Sequence, residues 1–225
     1  MKNRLILTAW GRYGVRWAGG KITALLLAVS PVGASESVTL LALGDSLTQG
    51  FGLVPQDGFV AQLDAWLEGQ GAVVDLINAG VSGDTTAGGA ARVAWSLTPE
   101  VDAMIVALGA NDMLRGLDPD EARRNLTTIL DIASENELPV LLVGIEAPAN
   151  YGPDYKTSFD AIYPDLATAY DALLFPNFFE GLGEADFAAL QAYFQDDGIH
   201  PNAEGVARIV EAMGPVVLTL IERAE

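Results

Sequence analysis

Apolar and polar stretches alternate along the chain with the lengths of strands and helices. Five apolar runs are short and continuous, as expected of strands buried on both faces: 38–43, 72–79, 101–108, 139–145 and 172–175. Between and after them, apolar residues recur at helical spacing, which predicts helices at 59–67, 85–97, 118–136, 159–170 and 202–223, with a shorter helical stretch at 185–192. Strands that alternate with helices predict right-handed βαβ units, and hence a parallel sheet covered by helices on both faces.

Polar side chains lie where several of the predicted strands end. Loops at 45–46, 82–84 and 109–112 follow the first three strands, and a fourth polar loop, at 196–200, precedes the C-terminal helix. The carboxyl ends of parallel strands share one edge of a sheet, where ligands bind in a crevice, so we expect the first three loops to meet there. Ser46 follows the first strand directly, which places its hydroxyl where it could react.

The histidine and cysteine content narrows the chemistry. His200 is the one histidine and there is no cysteine, which excludes disulfides, thiolate nucleophiles and cysteine or multi-histidine metal sites. A serine nucleophile needs a base, a carboxylate that orients the base, and donors for the developing oxyanion. Ser46, His200 and an aspartate supply the first three, and Asn111 with backbone N–H groups could supply the donors. The spacing of Asp197 and His200 lets the carboxylate reach the imidazole Nδ1–H in one tight loop, leaving Nε2 to face Ser46.

Each of these residues also has a purely structural interpretation. The pair Asp45–Ser46 suits a turn or a helix cap, and the pair at 111–112 could cap the next helix. His200 could simply begin the C-terminal helix, and Asp196 competes with Asp197 as its partner. Because the groups occur together, in order and at predicted strand ends, the pattern favours catalysis.

The first 34 residues have the pattern of a secretory signal peptide. Five basic residues and no acidic one occur in them, the apolar run Ile22–Val29 follows the basic region, and the small residues Val32–Ala34 suit cleavage after Ala34. The basic region is long for a signal peptide, and a permanent N-terminal anchor is the alternative, although the apolar run is short for a membrane span. We therefore expect one mature domain at 35–225, periplasmic or secreted, with no stable membrane anchor.

The full chain carries a net charge of −18, and removal of that segment makes it more acidic. Seven basic side chains remain against 30 acidic ones, which gives a net charge of −23. Such a surface repels nucleic acid and anionic lipid headgroups, and it argues against a polyanionic substrate. We expect no nucleic-acid partner, and no obligate protein partner is evident.

At these polar loops the chain resembles the SGNH hydrolases, also called the GDSL esterase/lipase family. The resemblance rests on four sequence blocks in order: Gly44–Leu47, Gly83, Gly109–Asp112 and Asp197–His200. It extends to segments similar to those of the bacterial periplasmic arylesterase, thioesterase I and lysophospholipase group: Gln49–Gly52, Pro148–Gly152, Ala161–Pro164 and Gln195–Asn202. The match runs from about Val38 into the C-terminal helix.

The resemblance implies a fold and a catalytic site. The fold is a flavodoxin-like three-layer α/β/α sandwich around a central parallel five-stranded sheet, the SGNH hydrolase fold. The site is a Ser46–His200–Asp197 triad, with an oxyanion hole made by the N–H groups of Ser46 and Gly83 and the side-chain amide of Asn111. Such enzymes need neither a metal nor an organic cofactor. The G-x-S-x-G elbow of the α/β-hydrolase fold is absent from the sequence.

The resemblance also implies a class of substrate, a small-molecule ester or thioester: aryl esters, short-to-medium acyl chains or lysophospholipids. Apolar and aromatic residues of the flanking loops are expected to line the acyl groove, with ordinary loop packing as the alternative: Met113, Leu114, Leu117, Tyr151 and Tyr155. Two other functions stay open, a carbohydrate O-deacetylase on the same triad and a non-catalytic periplasmic binding module. The segment 178–194 aligns least well, so the preferred acyl length stays open too.

Overall fold

The computed structural model describes residues 37–183 and 187–225. The expected leader at 1–34 lies outside the described residues, as do the first two positions of the helical stretch expected at 185–192. Over the described residues the structure confirms the predicted α/β class.

Five parallel strands form one sheet in the order β2-β1-β3-β4-β5. Their bounds are β1 Val38–Gly44, β2 Val74–Gly80, β3 Ala103–Ala107, β4 Val140–Val143 and β5 Leu173–Phe175. Each strand falls within one or two residues of a predicted apolar run. This confirms the expected number and direction of the strands.

Nine α-helices connect and cover the strands in the described part of the chain. They are α1 Ser46–Gln49, α2 Phe59–Gly69, α3 Thr86–Ser96, α4 Ala110–Leu114, α5 Pro119–Glu135, α6 Pro153–Asp160, α7 Ile162–Ala169, α8 Phe187–Leu190 and α9 Ala203–Ala224. Short 3₁₀ turns lie at Pro55–Asp57, Ala149–Tyr151, Glu180–Leu182 and Gln191–Tyr193. Of the helices the structure describes, none combines the length and apolarity that crossing a membrane requires.

Side chains on the two faces of the sheet form two separate apolar cores. Along β1, Leu40 and Ala42 belong to the core beneath α2 and α9, whereas Leu41 and Leu43 belong to the core beneath α3, α5, α6 and α7. This alternation is the two-residue period of a strand, and all four side chains are at most 1% exposed. A fully buried leucine stabilises a fold by about 1.5–3 kcal/mol. The described residues therefore form the expected three-layer sandwich.

The single helix predicted at 159–170 is wrong. The structure has two helices there, α6 and α7, which meet at Ala161, and the first begins six residues earlier than predicted. Pro153 occupies the first turn of α6 and Pro164 the first turn of α7. Proline fits a first turn because the N–H it lacks has no partner there, whereas within a continuous helix it would remove a hydrogen bond.

The register of the first three strands, β1, β2 and β3, aligns their carboxyl ends. Gly44, the last residue of β1, pairs with Gly80 on one side and with Ala107 on the other. The loops that follow β1, β2 and β3 therefore leave the sheet from a common row. This row places the first three polar loops side by side.

Candidate active site

Ser46 lies at the abrupt junction between β1 and α1. Asp45 caps that helix, because its Oδ1 accepts the Leu47 N–H at 2.9 Å, and Ser46 is the first helical residue. The capping interpretation of Asp45 is thus correct, and it coexists with an accessible serine at the carboxyl edge of the sheet. The short helix fixes the Ser46 hydroxyl relative to the strand.

The imidazole of His200 joins Ser46 to Asp197. His200 Nε2 lies 2.9 Å from Ser46 Oγ, and His200 Nδ1 lies 2.7 Å from Asp197 Oδ2. A carboxylate can only accept, so the Nδ1 proton is assigned to the Asp197 side, and Nε2 accepts the serine hydroxyl proton. The two groups are 154 residues apart in sequence. The order hydroxyl, imidazole, carboxylate is the arrangement that acyl transfer needs.

Hydrogen bonds hold Asp197 ionised and oriented. Its Oδ1 accepts the backbone N–H groups of Ile199 at 2.9 Å and of His200 at 3.0 Å. The His200 backbone N–H, the His200 ring and the Ile199 N–H together lower the pKa of Asp197 to about 2. Of the two neighbouring aspartates, Asp197 is the one that pairs with the ring. His200 does not begin the C-terminal helix, since Asn202 caps α9 by accepting the Gly205 N–H.

The loop that carries the histidine is fixed at its base and against a neighbouring loop. Phe194 and Pro201 form an antiparallel bridge, and the Gln195 N–H donates to the His200 carbonyl at 2.8 Å. The Gln195 side chain donates to the carbonyls of Phe51, at 2.8 Å, and Pro201, at 3.0 Å. The Phe51 ring in turn packs against the imidazole, with 4.6 Å between ring centroids. These contacts limit the motion of the base.

Asn111 points its amide towards the nucleophile loop. It belongs to α4, and its Nδ2 donates to Asp45 Oδ2 at 3.1 Å. An amide nitrogen carries two N–H groups, so a second donor remains for a ligand. Asp45 is 1% exposed, and this burial raises its pKa to about 6 even though the Leu47 N–H and the Asn111 amide act in the opposite direction.

The neighbouring residue Asp112 is also buried, and it ties α4 to α3. It accepts the Thr86 N–H at 2.8 Å and the Thr86 hydroxyl at 2.6 Å. The alternative that residues 111–112 cap the next helix is wrong, because both lie within α4 and Asp118 caps α5. Asp112 instead binds Thr86, the first residue of the earlier helix α3. Gly83, in the loop after β2, adopts a φ of 80°, a left-handed conformation that favours glycine.

A cavity of about 430 Å³ opens beside Ser46 and His200. Ser46, Asn111 and His200 contribute its polar wall, and most of the remaining wall is apolar: Leu47, Ala110, Met113, Leu114, Ile145, Phe179, Phe194 and Ile199. Of the five residues expected to line a groove, Met113 and Leu114 do so, whereas Leu117, Tyr151 and Tyr155 do not reach this wall. Tyr151 instead donates its hydroxyl to the Leu114 carbonyl at 3.2 Å and packs against the Tyr155 ring.

A larger, open depression of about 600 Å³ lies at the other edge of the sheet, where β4 and β5 begin. Two of the polar side chains that line it are paired with nearby residues. The Tyr170 hydroxyl bonds to Asp131, and Arg223 donates to the Asp171 carbonyl. No nucleophile paired with a base lines this depression, in contrast to the smaller cavity.

Several residues of the site carried no signal in the sequence. Phe179 and Phe194 lie in the segment that aligns least well with the family, and Ile145 ends an apolar run that predicts a strand. Phe51, which packs against the His200 ring, is the one such residue with a sequence signal: it lies between two glycines shortly after the block Gly44–Leu47. Within the described ranges, no cluster of three or more histidine, aspartate or glutamate side chains could hold a metal ion.

Known proteins resemble the chain over most of its length. The model of the GDSL-like lipase/acylhydrolase family matches residues 42–208. Esterase TesA of Pseudomonas aeruginosa is 39% identical over 81% of this chain and 89% of its own. The thioesterase 1/protease 1/lysophospholipase L1 of Escherichia coli K12 is 37% identical over 88% and 91%, and the arylesterase of Vibrio mimicus is 35% identical over 85% and 94%.

Solved structures agree with the sequence relatives. The crystal structure of AlinE4, an SGNH-hydrolase family esterase, is 43% identical and has a TM-score of 0.68, covering 82% of this chain and 96% of the other. The crystal structure of TesA is 38% identical with a TM-score of 0.74, covering 81% and 99%. The chain therefore belongs to the GDSL-like lipase/acylhydrolase family, the SGNH hydrolases, and is a carboxylic ester hydrolase.

Proposed function

We propose that the chain is a serine esterase that hydrolyses carboxylic esters and thioesters through an acyl-enzyme on Ser46. The observation that carries the proposal is the unbroken series of contacts from Ser46 Oγ to His200 Nε2, at 2.9 Å, and from His200 Nδ1 to Asp197 Oδ2, at 2.7 Å. A base within hydrogen-bond reach of a hydroxyl, and itself oriented by a carboxylate, is the signature of an activated nucleophile.

The reaction takes place in two steps. His200 Nε2 takes the hydroxyl proton while Ser46 Oγ attacks the acyl carbon, and the bond to the alcohol or thiol leaving group then breaks as His200 returns the proton to it. In the second step water attacks the acyl carbon while His200 takes its proton. The bond from the acyl carbon to Ser46 Oγ then breaks as His200 returns that proton to Oγ, and the free acid leaves. Asp197, ionised at neutral pH, keeps the imidazole in the correct tautomer and stabilises the imidazolium.

Each tetrahedral intermediate carries a negative oxygen on the acyl carbon, and this oxyanion requires hydrogen-bond donors that point at it. We assign this role to the N–H groups of Ser46 and Gly83 and to the Asn111 amide. Support comes from the strand register, which makes the three loops leave the sheet from one row. The bond from Asn111 to Asp45 supports it further, because it fixes the plane of the amide before substrate arrives.

The cavity is suited to bind the acyl group of the substrate. Its wall is mostly apolar, and Met113 and Leu114 are the residues from the expected groove that contact this space. Tyr151 supports the Leu114 backbone from outside. The names of the relatives, which include an esterase, a thioesterase and lysophospholipase, and an arylesterase, fit acyl transfer from varied leaving groups.

A turnover profile over acyl length tests this function. Nitrophenyl esters and acyl-CoA thioesters of two to sixteen carbons would be compared side by side, with acetylated xylan as a further substrate and Ser46→Ala as the control. We expect hydrolysis of both acyl series, abolished in the control. Preference for acetylated sugar would indicate the deacetylase instead, and absence of turnover on every substrate would indicate the binding module.

For its location, we propose that the mature enzyme is periplasmic or secreted, after removal of residues 1–34. The basic region, the apolar run and the small residues before position 35 support this. N-terminal sequencing of the protein recovered from each cell fraction tests it. A mature terminus near Ser35 in the periplasm or the medium is the expected result, and an intact leader in the membrane fraction would indicate an anchor.

A further inference from the structure

The three assigned oxyanion donors lie in three separate loops, so their relative positions depend on what joins those loops. One link is the bond from Asn111 to Asp45, between the third loop and the first. Two arginines that are absent from the cavity wall make the other two links. These three links join each of the three loops to the other two.

Arg92, on α3, links the first loop to the second. Its Nη2 donates to the Gly44 carbonyl at 2.9 Å, and its Nε donates to Asp84 Oδ2 at 2.8 Å. Gly44 is two residues before Ser46, and Asp84 directly follows Gly83. The side chains of Arg92 and Asp84 are only 20% and 15% exposed. A single guanidinium thus sets the spacing between the backbone segments that present the Ser46 and Gly83 N–H groups.

Helix α3 leaves space for the ion pair of Arg92 and Asp84. A Cβ on Gly88 would lie 1.7 Å from Asp84 Oδ1, so the carboxylate occupies the space that a larger residue in the first turn of α3 would need. The Gly44 carbonyl also accepts the Val81 N–H at 3.0 Å, which adds a backbone link between the same two loops. The contact between Arg92 and the two loops is therefore a close-packed feature of the fold.

Arg115 links the second loop to the third. It caps the C-terminal end of α4, the helix that carries Asn111, and its Nη2 donates to the Gly83 carbonyl at 2.8 Å. Gly83 has a φ of 80° and no side chain, so nothing in its own residue restrains the peptide. The guanidinium supplies that restraint from the neighbouring loop.

We propose that Arg92 and Arg115 are positioning residues for the oxyanion hole, which hold the Gly83 loop in register with Ser46 and Asn111. The inference rests on the proposed esterase function and adds to it two residues that do not touch the substrate. Donors that are fixed before the reaction stabilise the oxyanion without reorganisation, and a displacement of about 1 Å can lower a rate by about 100-fold.

Lysine should be able to substitute for Arg115 but not for Arg92. Arg92 makes two bonds in different directions, and a lysine cannot reproduce a planar, two-sided donor. Arg115 makes one bond of this kind, which one ammonium group can supply. We therefore expect Arg92→Lys to be as impaired as Arg92→Gln, and Arg115→Lys to retain most of the activity that Arg115→Gln loses.

The experiment measures kcat and KM of the four variants, together with their rates of inactivation by a fluorophosphonate. The phosphoryl oxygen of that probe requires the same donors. We expect kcat and the inactivation rate to fall together, by about 10- to 100-fold for Arg92→Gln and about 3- to 30-fold for Arg115→Gln. The KM should stay within about twofold, because the donors act mainly in the transition state.

Arg123→Gln is the matched control. Arg123 likewise joins two elements through its guanidinium, α5 and α7, by one bond from Nη2 to the Asp165 carboxylate at 2.9 Å, and it is absent from the cavity wall. Equal losses in this control, unchanged kcat in Arg92→Gln and Arg115→Gln, or a raised KM at constant kcat would each overturn the inference. Arg115 is exposed, so its variants keep the test valid if Arg92→Gln does not fold. An inactive wild type, or an active Ser46→Ala, would instead refute the esterase function itself.

Discussion

Replacing Asp45 by asparagine should change how the stability of the protein depends on pH. Asp45 is 1% exposed, and its two oxygens accept the Leu47 N–H at 2.9 Å and the Asn111 amide at 3.1 Å. Burial raises the pKa of this carboxyl from 3.8 to about 6. Between these two values the folded state holds a proton that the unfolded state has lost. The contribution of Asp45 is therefore fully present below pH 4 and is lost as the pH rises through about 6.

The magnitude follows from the same two values. At about 1.4 kcal/mol per pH unit, the change from 3.8 to about 6 corresponds to ~3 kcal/mol of unfolding free energy. Asparagine does not titrate, so any contact it loses or gains gives an offset that is constant with pH. The difference between wild type and Asp45→Asn should thus shift by about 2–3 kcal/mol against the wild type between pH 4 and pH 7.

Urea unfolding of both proteins at half-unit steps from pH 4 to pH 7.5 measures this difference. Taking the difference cancels the other titrating groups, which the two proteins share. The expected curve slopes downwards and becomes flat above about pH 6.5. Parallel stability curves would contradict the argument, and a wild type that gains stability relative to the variant as the pH rises would show that the pKa of Asp45 is lowered rather than raised.

Three further predictions concern the reaction, and one concerns stability. Asn111→Ala removes one of the proposed oxyanion donors and should lower kcat by ~10²–10³ with little change in KM, measured on the best ester of the acyl-length profile. Asp197→Asn should lower kcat by ~10⁴ through loss of the correct tautomer. Hydrogen bonds lower the pKa of Asp197 from 3.8 to about 2, so the stability that its ionised form contributes is fully present above about pH 4. That contribution is lost as the pH falls from there through about 2, which a pH series of unfolding curves checks. Leu114→Trp narrows the cavity and should lower kcat/KM for the longest acyl chains by about tenfold or more while acetyl esters are unaffected.

The fold could be predicted from the sequence because its strands are continuous apolar runs. Such runs are typical of strands buried on both faces, and β1 is an example, with Leu40 and Leu41 in different cores. The helix boundary at Ala161 was missed because the apolar spacing continues across it. The prolines at 153 and 164 were the signal, since each marks a first turn rather than a helix interior.

The polar part of the site could be predicted because its residue types and order are specific to one chemistry. The apolar wall could not, because side chains such as Phe179 and Phe194 are brought to the cavity by loops of irregular structure. The contacts of Arg92 could not be predicted either, because the sequence does not show which residues an arginine within a helix will contact. Its partners, Gly44 and Asp84, are 48 and 8 residues away.

Covalent trapping of the nucleophile tests the account most directly. The protein would be treated with a fluorophosphonate, digested, and the adduct located by mass spectrometry, with Ser46→Ala and His200→Ala treated in parallel. We predict one equivalent of adduct, on the peptide that contains Ser46, no adduct in Ser46→Ala, and a strongly slowed reaction in His200→Ala. An adduct on any other residue, or ester hydrolysis that persists at the wild-type rate in Ser46→Ala, would contradict the claim that His200 activates this serine.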